Sequence, residues 1–416
     1  MNAAHWIARR FSFARKRFRV INIISSISLI GIVLGVTTLL VAMSVLNGFQ
    51  KLAYDLFTTI DAPVRLIRSD GSALADPEEL LKGLRALSGI TSAEPFLEGE
   101  AILDTGVKSE LVMLKGLDDT ARNRIAAHTR GNQSLFGSGT IAVGEVLAYR
   151  NHLYRSQRIH LFSSDLISLG LESLEQPYLL PMPSIPVTTI QSFFSIQKQF
   201  DDHYVLTSNK DARSILLYGE NSCTGIELRS NGDLSEHELA KTVKHWLENQ
   251  QQQNIYRIET IDEKYSHIFL VMLLEKWASF AVLMLVVLVA ALSLTGSLSM
   301  TVIEKHRELF FLRCLGLEKQ DFRMIFILQG AATGIIGSIF GMLFAWIICF
   351  LQQAYQLVRL PANGAFIINA YPVSMQVPDF VVVGISTLLL CTVISLYPAR
   401  KAALIAASTS LDLKTD

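Results

Sequence analysis

Hydrophobic and polar positions divide the chain into four long apolar runs separated by polar material. Val20–Gln50, Trp277–Ile303, Met324–Val358 and Phe380–Ala399 contain no Asp, Glu, Lys or Arg. Each is long enough to cross a hydrocarbon core of ~30 Å as a helix, which takes about 20 apolar residues. Trp277–Ile303 would extend roughly 40 Å as a helix, so the second span is expected to project from the bilayer as a stalk. Ile268–Leu274 continues the apolar pattern upstream of Glu275-Lys276, with Lys276 and Trp277 reading as an interfacial belt. This surface either packs on the first helix or the outer domain, or forms a path for an acyl chain. The candidates for such a path are Met43, Leu46, Phe49, Phe269, Met272 and Leu273.

Between the first two runs the pattern is that of a water-soluble domain. Apolar positions alternate in strand fashion over Ile90–Leu117, with a turn predicted at Asp104-Thr105-Gly106. Ile141–Leu147 and Arg158–Phe162 read as short strands or helix starts, and Val187–Phe193 as a strand. Ser235–Gln250 reads as an amphipathic helix that ends in a run of glutamines. Asp76-Pro77-Glu78-Glu79 reads as a helix start: an N-cap, a proline in the first turn and acids near the positive helix end. Leu166–Pro186 departs from this pattern, because Pro177, Pro181, Pro183 and Pro186 forbid both a central strand and a regular helix. A stiff outward loop is expected there. The expected fold class is a helical membrane protein with four transmembrane helices and a large α+β domain between the first and second.

The expected order is a basic N-terminus (1–19), first span (20–50), outer domain (51–267), stalk and second span (268–303), joint (304–323), third span (324–358), short loop (359–379), fourth span (380–399) and tail (400–416). A secretory signal has an apolar core of roughly 7–15 residues, shorter than Val20–Gln50, so a retained span is predicted. Gly31 and Gly35 in this span suit close helix packing. Gly330, Gly334, Gly337 and Gly341 share one helical face in the third and point to a partner span rather than a ligand. Arg9, Arg10, Arg15, Lys16, Arg17 and Arg19, the joint, and Arg400-Lys401 fall on one side of a four-span arrangement. That side is expected to be the cytoplasm, with both termini inside.

Composition removes several function classes. Of 416 residues, 50% are hydrophobic, and 37 basic residues balance 37 acidic ones. The balance leaves no electrostatic footprint for nucleic acid. The four cysteines are scattered without a CxxC pair, so neither a zinc site nor a disulfide framework is indicated. No phosphate loop, HExxH or GxSxG motif is present. His152, His160 and His203 lack metal-ligand spacing, and Asp201-Asp202-His203 reads as a solvated turn. The apolar runs lack charge, which argues against an ion or proton pathway. A transducer is expected, with no catalytic site, metal or cofactor of its own.

The stretch Ser299–Arg323, SMTVIEKHRELFFLRCLGLEKQDFR, is a charge-dense amphipathic segment wedged between the second and third spans. Its apolar face needs a protein partner or the membrane surface. We read it as the joint on which a separate cytosolic motor pushes. Leu309, Phe310 and Leu312 are candidates for the motor's groove, and Glu304, Arg307, Glu308, Arg313 and Gly316 complete the site.

These residues resemble the LolC/LolE family, the permease subunits of the lipoprotein-releasing ABC transporter. SISLIGIVLGVTTLLVAMSVLNGFQ is similar to the family's SLLGIALGVAxLIxxxSVMNGF, with Asn47-Gly48-Phe49 matching its end. TGSLSMTVIEKHRELFFLRCLGL resembles the family's joint, ILQGAATGIIGSIFG its third span, and LYPARKAA its exit from the fourth. LLPMPSIP is similar to the PMGxxP loop of the LolC type, although Pro183 stands where the family has Gly. The resemblance implies a multi-pass half-transporter of the MacB/FtsX architecture in the bacterial inner membrane. It would pair with a second permease subunit, identical or sister, and with a dimer of a LolD-like cytosolic ATPase that holds ATP and Mg. Lipoproteins would be extracted from membrane lipid and passed to a LolA-like periplasmic carrier. The loop resemblance assigns carrier binding to Pro177, Tyr178, Leu180, Pro181, Met182 and Pro186. A non-transporting, FtsX-like mechanotransmitter acting on a periplasmic partner stays open as the alternative.

Overall fold

The first helix, α1 (Arg19–Ile60), is 42 residues long. At 1.5 Å per residue it is about twice the hydrocarbon thickness of ~30 Å. Its lower part buries Ser28, Ile32, Val36, Leu39, Met43 and Asn47 at steps of three and four residues, while Ile23, Ile27, Ile30 and Leu34 face outward. A helix apolar on both faces suits lipid on the outer one. The computed structural model describes residues 19–126, 135–167, 186–196, 198–230, 234–359 and 370–408. The chain divides into two compact units, with boundaries at Leu52/Ala53 and His267/Ile268.

The unit Ala53–His267 is α+β. In chain order it contains β1 (Val64–Arg68), β2 (Leu74–Ala75), α2 (Glu78–Arg85), β3 (Ser92–Asp104), β4 (Ser109–Leu117), α3 (Asp119–Ala126), β5 (Thr140–Gly144), α4 (Glu145–Arg150) and β6 (Arg158–Ser163). There follow β7 (Val187–Phe194), α5 (Lys198–His203), β8 (Tyr204–Ser208), α6 (Asn209–Ile215), β9 (Ser222–Cys223), β10 (Gly225–Arg229), α7 (Glu236–Asn249), β11 (Tyr256–Thr260) and α8 (Ile261–Lys264). Nine strands pair in the order β11-β1-β10-β3-β4-β8-β5-β7-β6, and β6 also pairs with the far end of β3. The strands from β3 to β6 therefore close into a barrel, which removes their free edges. Strand β3 links the barrel to the open sheet β10-β1-β11.

The predicted turn after Asp104 is present: its carboxylate accepts from the Gly106 N–H at 3.1 Å and the Ser109 hydroxyl at 3.0 Å. Helix α7 starts in a capping box between Ser235 and Glu238 and buries Leu239, Val243 and Leu247. The helix start near Asp76 differs from expectation. Pro77 takes the N-cap place of α2 with no side-chain cap, because Asp76 is turned away in a left-handed conformation, φ 45°.

The other unit adds α9 (Ser266–Glu304), α10 (His306–Cys314), α11 (Lys319–Tyr355) and α12 (Val377–Ser408). Among the described residues, four helices are long and apolar enough to cross a membrane: Ile23–Ile60, Ser266–Glu304, Lys319–Tyr355 and Val377–Leu404. The seam between α1 and α9 runs antiparallel through small side chains: Ser28 bonds Ser293 at 2.9 Å, Gly31 lies against Ala290, and Gly35 against Val287. The glycine face of α11 serves two neighbours rather than one. Gly330 and Gly334 meet Ser395 and Cys391 of α12, while a Cβ at Gly337 or Gly341 would stand 2.7 Å from Ile32 or Val36 of α1.

Two further features differ from the sequence expectation. Glu304 ends α9 and is not part of the joint helix. The membrane helices also carry buried charge: Lys276 and Asp379 are both buried. Lys276 falls on the stripe of α9 that holds Val287, Ala291, Leu294 and Leu298, while its neighbour Glu275 is exposed. Asp379 sits in the first turn of α12.

Candidate coupling sites

Helix α10 is a short element between two membrane helices. Lys305 precedes it, and Gly316, at φ 98°, turns the chain towards α11, a conformation that strains any residue with a Cβ. Of the residues expected to meet a motor, Leu309 is turned inward: it is 1% exposed and joins Val302, Phe322 and Phe326 in the bundle core. Leu312 packs beside it, and Phe310 and Arg313 are half-buried. Leu309 therefore anchors α10 to its own bundle and cannot fill a partner's groove. The open apolar residues are Phe311, 67% exposed, and Leu315, 80% exposed. Arg307 and Glu308 are exposed, with Lys305 3.6 Å from the Glu308 carboxylate. Glu304 is half-buried at the end of α9.

A second site lies at the base of the α+β unit. Asp61 follows the last turn of α1 and is fully buried. Its carboxylate accepts from Lys115 at 2.5 Å, Lys264 at 2.7 Å and the Tyr265 hydroxyl at 2.7 Å. Lys115, on β4, also reaches Glu227 of β10 at 2.6 Å and the Ile60 carbonyl at 3.0 Å. Arg65 of β1 pairs with Glu98 of β3 and lies over the Phe96 ring, and Lys264 reaches the same Glu98 at 2.9 Å. Arg229 donates to the carbonyls of Thr58 at 3.0 Å and Asp61 at 2.8 Å. Cations thus complete the C-terminal carbonyls of α1, where the helix dipole favours positive charge.

Electrostatics keep Asp61, Glu98 and Lys115 ionised. Burial alone would raise the Asp61 carboxyl, but Lys115, Lys264 and Arg65 hold it well below the usual carboxylate range. Glu98 is likewise opposed by burial and held down at about 2 by Arg65 and Lys264. Burial would lower Lys115, yet Asp61 and Glu227 keep it raised. The Tyr265 ring stacks on Phe57 of α1 at 4.3 Å. The residues that leave α1 and those that lead into α9 are thereby tied to each other and to β1, β3, β4 and β10. Breaking one partner of such a buried set costs about 3–5 kcal/mol, so the site can carry a displacement from either connection into the sheet.

The acyl-path candidates divide in the structure. Met43 is 1% exposed inside the bundle core, so it cannot line an open path in this conformation. Leu46, Phe49, Phe269 and Met272 are half-buried and Leu273 is exposed. Phe49 meets Tyr371 edge-on at 6.0 Å. Of the carrier-loop residues, Pro177, Tyr178, Leu180, Pro181 and Met182 lie outside the described residues, while half-buried Pro186 leads directly into β7. Among the described residues no His, Cys, Asp or Glu cluster is arranged to hold a metal ion. Sequence reasoning missed the Asp61–Lys115 network, although a lysine inside the apolar run LVMLKGL of β4 was a signal for it.

Residues 280–406 match the family described as FtsX-like permease C-terminal. The chain is 22% identical over 418 residues to the lipoprotein-releasing system transmembrane protein LolE of Haemophilus influenzae, with 97% of each chain covered. It is 25% identical over 414 residues to the corresponding LolC protein of Neisseria meningitidis serogroup B, covering 95% of this chain and 96% of that one. The crystal structure of the periplasmic region of MacB from Actinobacillus actinomycetemcomitans is matched at 11% identity and TM-score 0.35, over 52% of this chain and 97% of that one.

Proposed function

We propose that this homologue of LolC and LolE, with an FtsX-like permease domain over residues 280–406, is the permease subunit of an ABC transporter that takes lipoproteins out of the inner membrane. A separate LolD-like ATPase dimer docks on α10 from the cytoplasm and keeps ATP and Mg on its own residues. Both termini are cytoplasmic and Ala53–His267 is periplasmic. A second permease subunit completes the bundle, and a LolA-like carrier receives the cargo at the periplasmic domain.

The observation that carries this reading is the construction of α10 within the FtsX-like region. Leu309 anchors it to α9 and α11, while Arg307, Glu308, Phe311 and Leu315 stay open. A partner that moves α10 therefore moves the membrane helices. The Asp61 network supports the next step, since it stiffens the connections at both ends of the domain. The test is reconstitution with the ATPase in proteoliposomes loaded with a triacylated lipoprotein, and assay of its appearance on a soluble carrier. ATP-dependent transfer is expected. Hydrolysis without transfer, in a complex that has assembled, would favour a non-transporting transmitter.

A further inference from the structure

Three membrane helices meet at one buried polar cluster. The Lys276 ammonium on α9 lies 2.8 Å and 3.0 Å from the two carboxylate oxygens of Asp379 at the start of α12. The Asn47 amide on α1 donates to the same carboxylate at 2.5 Å. Asn47 is 1% exposed, and its carbonyl oxygen has no hydrogen-bond partner. Beside it, α1 also makes close backbone contacts. A Cβ at Gly48 would overlap the Pro372 carbonyl, and the Ser374 N–H donates to the Ser44 carbonyl at 2.9 Å.

Apolar side chains of similar volume would join these helices at least as firmly, since desolvating two charges offsets most of their attraction. What a charged cluster offers instead is reversibility. Lys276 and Asp379 keep 11% of their side-chain surface exposed, and Lys276 adjoins the exposed Trp277, so both can regain water if the helices part. The orphan Asn47 oxygen shows that the closed arrangement leaves one polar group unsatisfied. Further along, the α1–α9 seam has close contacts at small residues, Gly31 on Ala290 and Gly35 on Val287, and the Ser28–Ser293 hydrogen bond.

We propose that Lys276, Asp379 and Asn47 form a charge latch that holds α1, at Asn47, against α9 and α12 and opens during the transport cycle. Lys276 and Asp379 act as positioning residues, through Asn47. Leu46 and Phe49 flank Asn47 along α1, and Met272 stands one turn before Lys276 on α9, so opening the latch would part the helices where cargo would pass. That functional consequence rests on the permease reading; the latch itself is tested without it.

The direct test labels Met43→Cys with a membrane-impermeant maleimide in the full chain reconstituted in proteoliposomes. Met43 is sealed in the core, four residues below Asn47. Labelling is expected to be slow in the otherwise unchanged protein and at least about tenfold faster with Asp379→Asn or Lys276→Met. The double exchange Lys276→Asp with Asp379→Lys should slow it again. A purely structural role predicts failed assembly in the single variants, or no recovery in the exchange; either result overturns the latch, as does labelling that stays slow throughout. A release assay on the same variants, assembled with the ATPase, separates the two ideas. If the unmodified complex transfers no lipoprotein while the labelling pattern holds, the permease reading fails and the latch stands. If transfer proceeds and labelling does not respond, the latch fails alone.

Discussion

Replacing Lys115 with methionine removes one charge from the centre of the buried network and keeps most of the side-chain length. The two carboxylates that Lys115 serves are affected unequally. Asp61 retains Lys264 at 2.7 Å and the Tyr265 hydroxyl at 2.7 Å. Glu227 keeps no other ion pair among the described residues once the 2.6 Å contact is lost. Glu227 then has only the more distant Arg65, across the β1–β10 ladder, to oppose its charge, which sets the cost at the lower end of the range for broken buried pairs, about 3 kcal/mol. For a domain the size of Ala53–His267 this corresponds to a midpoint about 6–12 °C lower. Thermal unfolding of the full chain in detergent, followed by protease susceptibility of the Ala53–His267 unit, reads the change. Lys108→Met, at an exposed pair 3.5 Å from Glu110, should stay within ~0.5 kcal/mol of the unaltered protein. Adding Glu227→Gln to Lys115→Met should recover part of the loss, because the stranded charge is then gone. A midpoint unchanged by Lys115→Met, or a double variant no better than the single, would refute the network as a load-carrying element.

The same cluster sets an acid limit. Asp61 and Glu98 are depressed in the folded state, so their stabilisation is complete above the unfolded carboxylate range near pH ~4 and is lost as pH falls towards the folded values. Protease susceptibility of the domain should stay flat from neutral pH to about 5 and rise below about 4, with a smaller acid-dependent change in Lys115→Met. Ser28→Cys with Ser293→Cys should form a disulfide on mild oxidation, since the two hydroxyls are 2.9 Å apart; no crosslink would contradict the α1–α9 register. Gly341→Leu should impair assembly of the bundle, because its Cβ alone would stand 2.7 Å from Val36, and normal yield of folded protein would refute that contact.

The fold was legible where a pattern was long. The four spans, the β3–β4 hairpin with its Asp104 turn, and α7 follow from periodicity that needs no tertiary knowledge. The closure of β6 onto β3 was not legible, because register between distant strands depends on which faces are buried. Helix phase explains two errors at the candidate sites. Lys276 stands on the three-and-four-residue stripe of α9 that includes Val287 and Leu294, and tracking that stripe through Glu275-Lys276 would have separated the exposed acid from the buried lysine. In α10 the apolar run Leu309–Leu312 spans a full turn, so it must divide between the bundle and solvent. Only the packing of Val302, Phe322 and Phe326 decides that Leu309 faces inward and Phe311 outward. The Asp61 network joins residues up to 204 positions apart, from Asp61 to Tyr265, and no local pattern announces that meeting.

Coupling of an external ATPase to this chain is proposed to run through the open face of α10. It is tested most directly by the number of ATP molecules hydrolysed per lipoprotein transferred in reconstituted proteoliposomes, comparing the unaltered protein with Phe311→Ala and Leu315→Ala. Truncating an aromatic anchor at an interface often costs about 2 kcal/mol or more. Phe311→Ala and Leu315→Ala are each expected either to lose the ATPase on purification or to hydrolyse ATP with little transfer. If both assemble normally and transfer lipoprotein at the unaltered ratio, α10 is not where the motor acts.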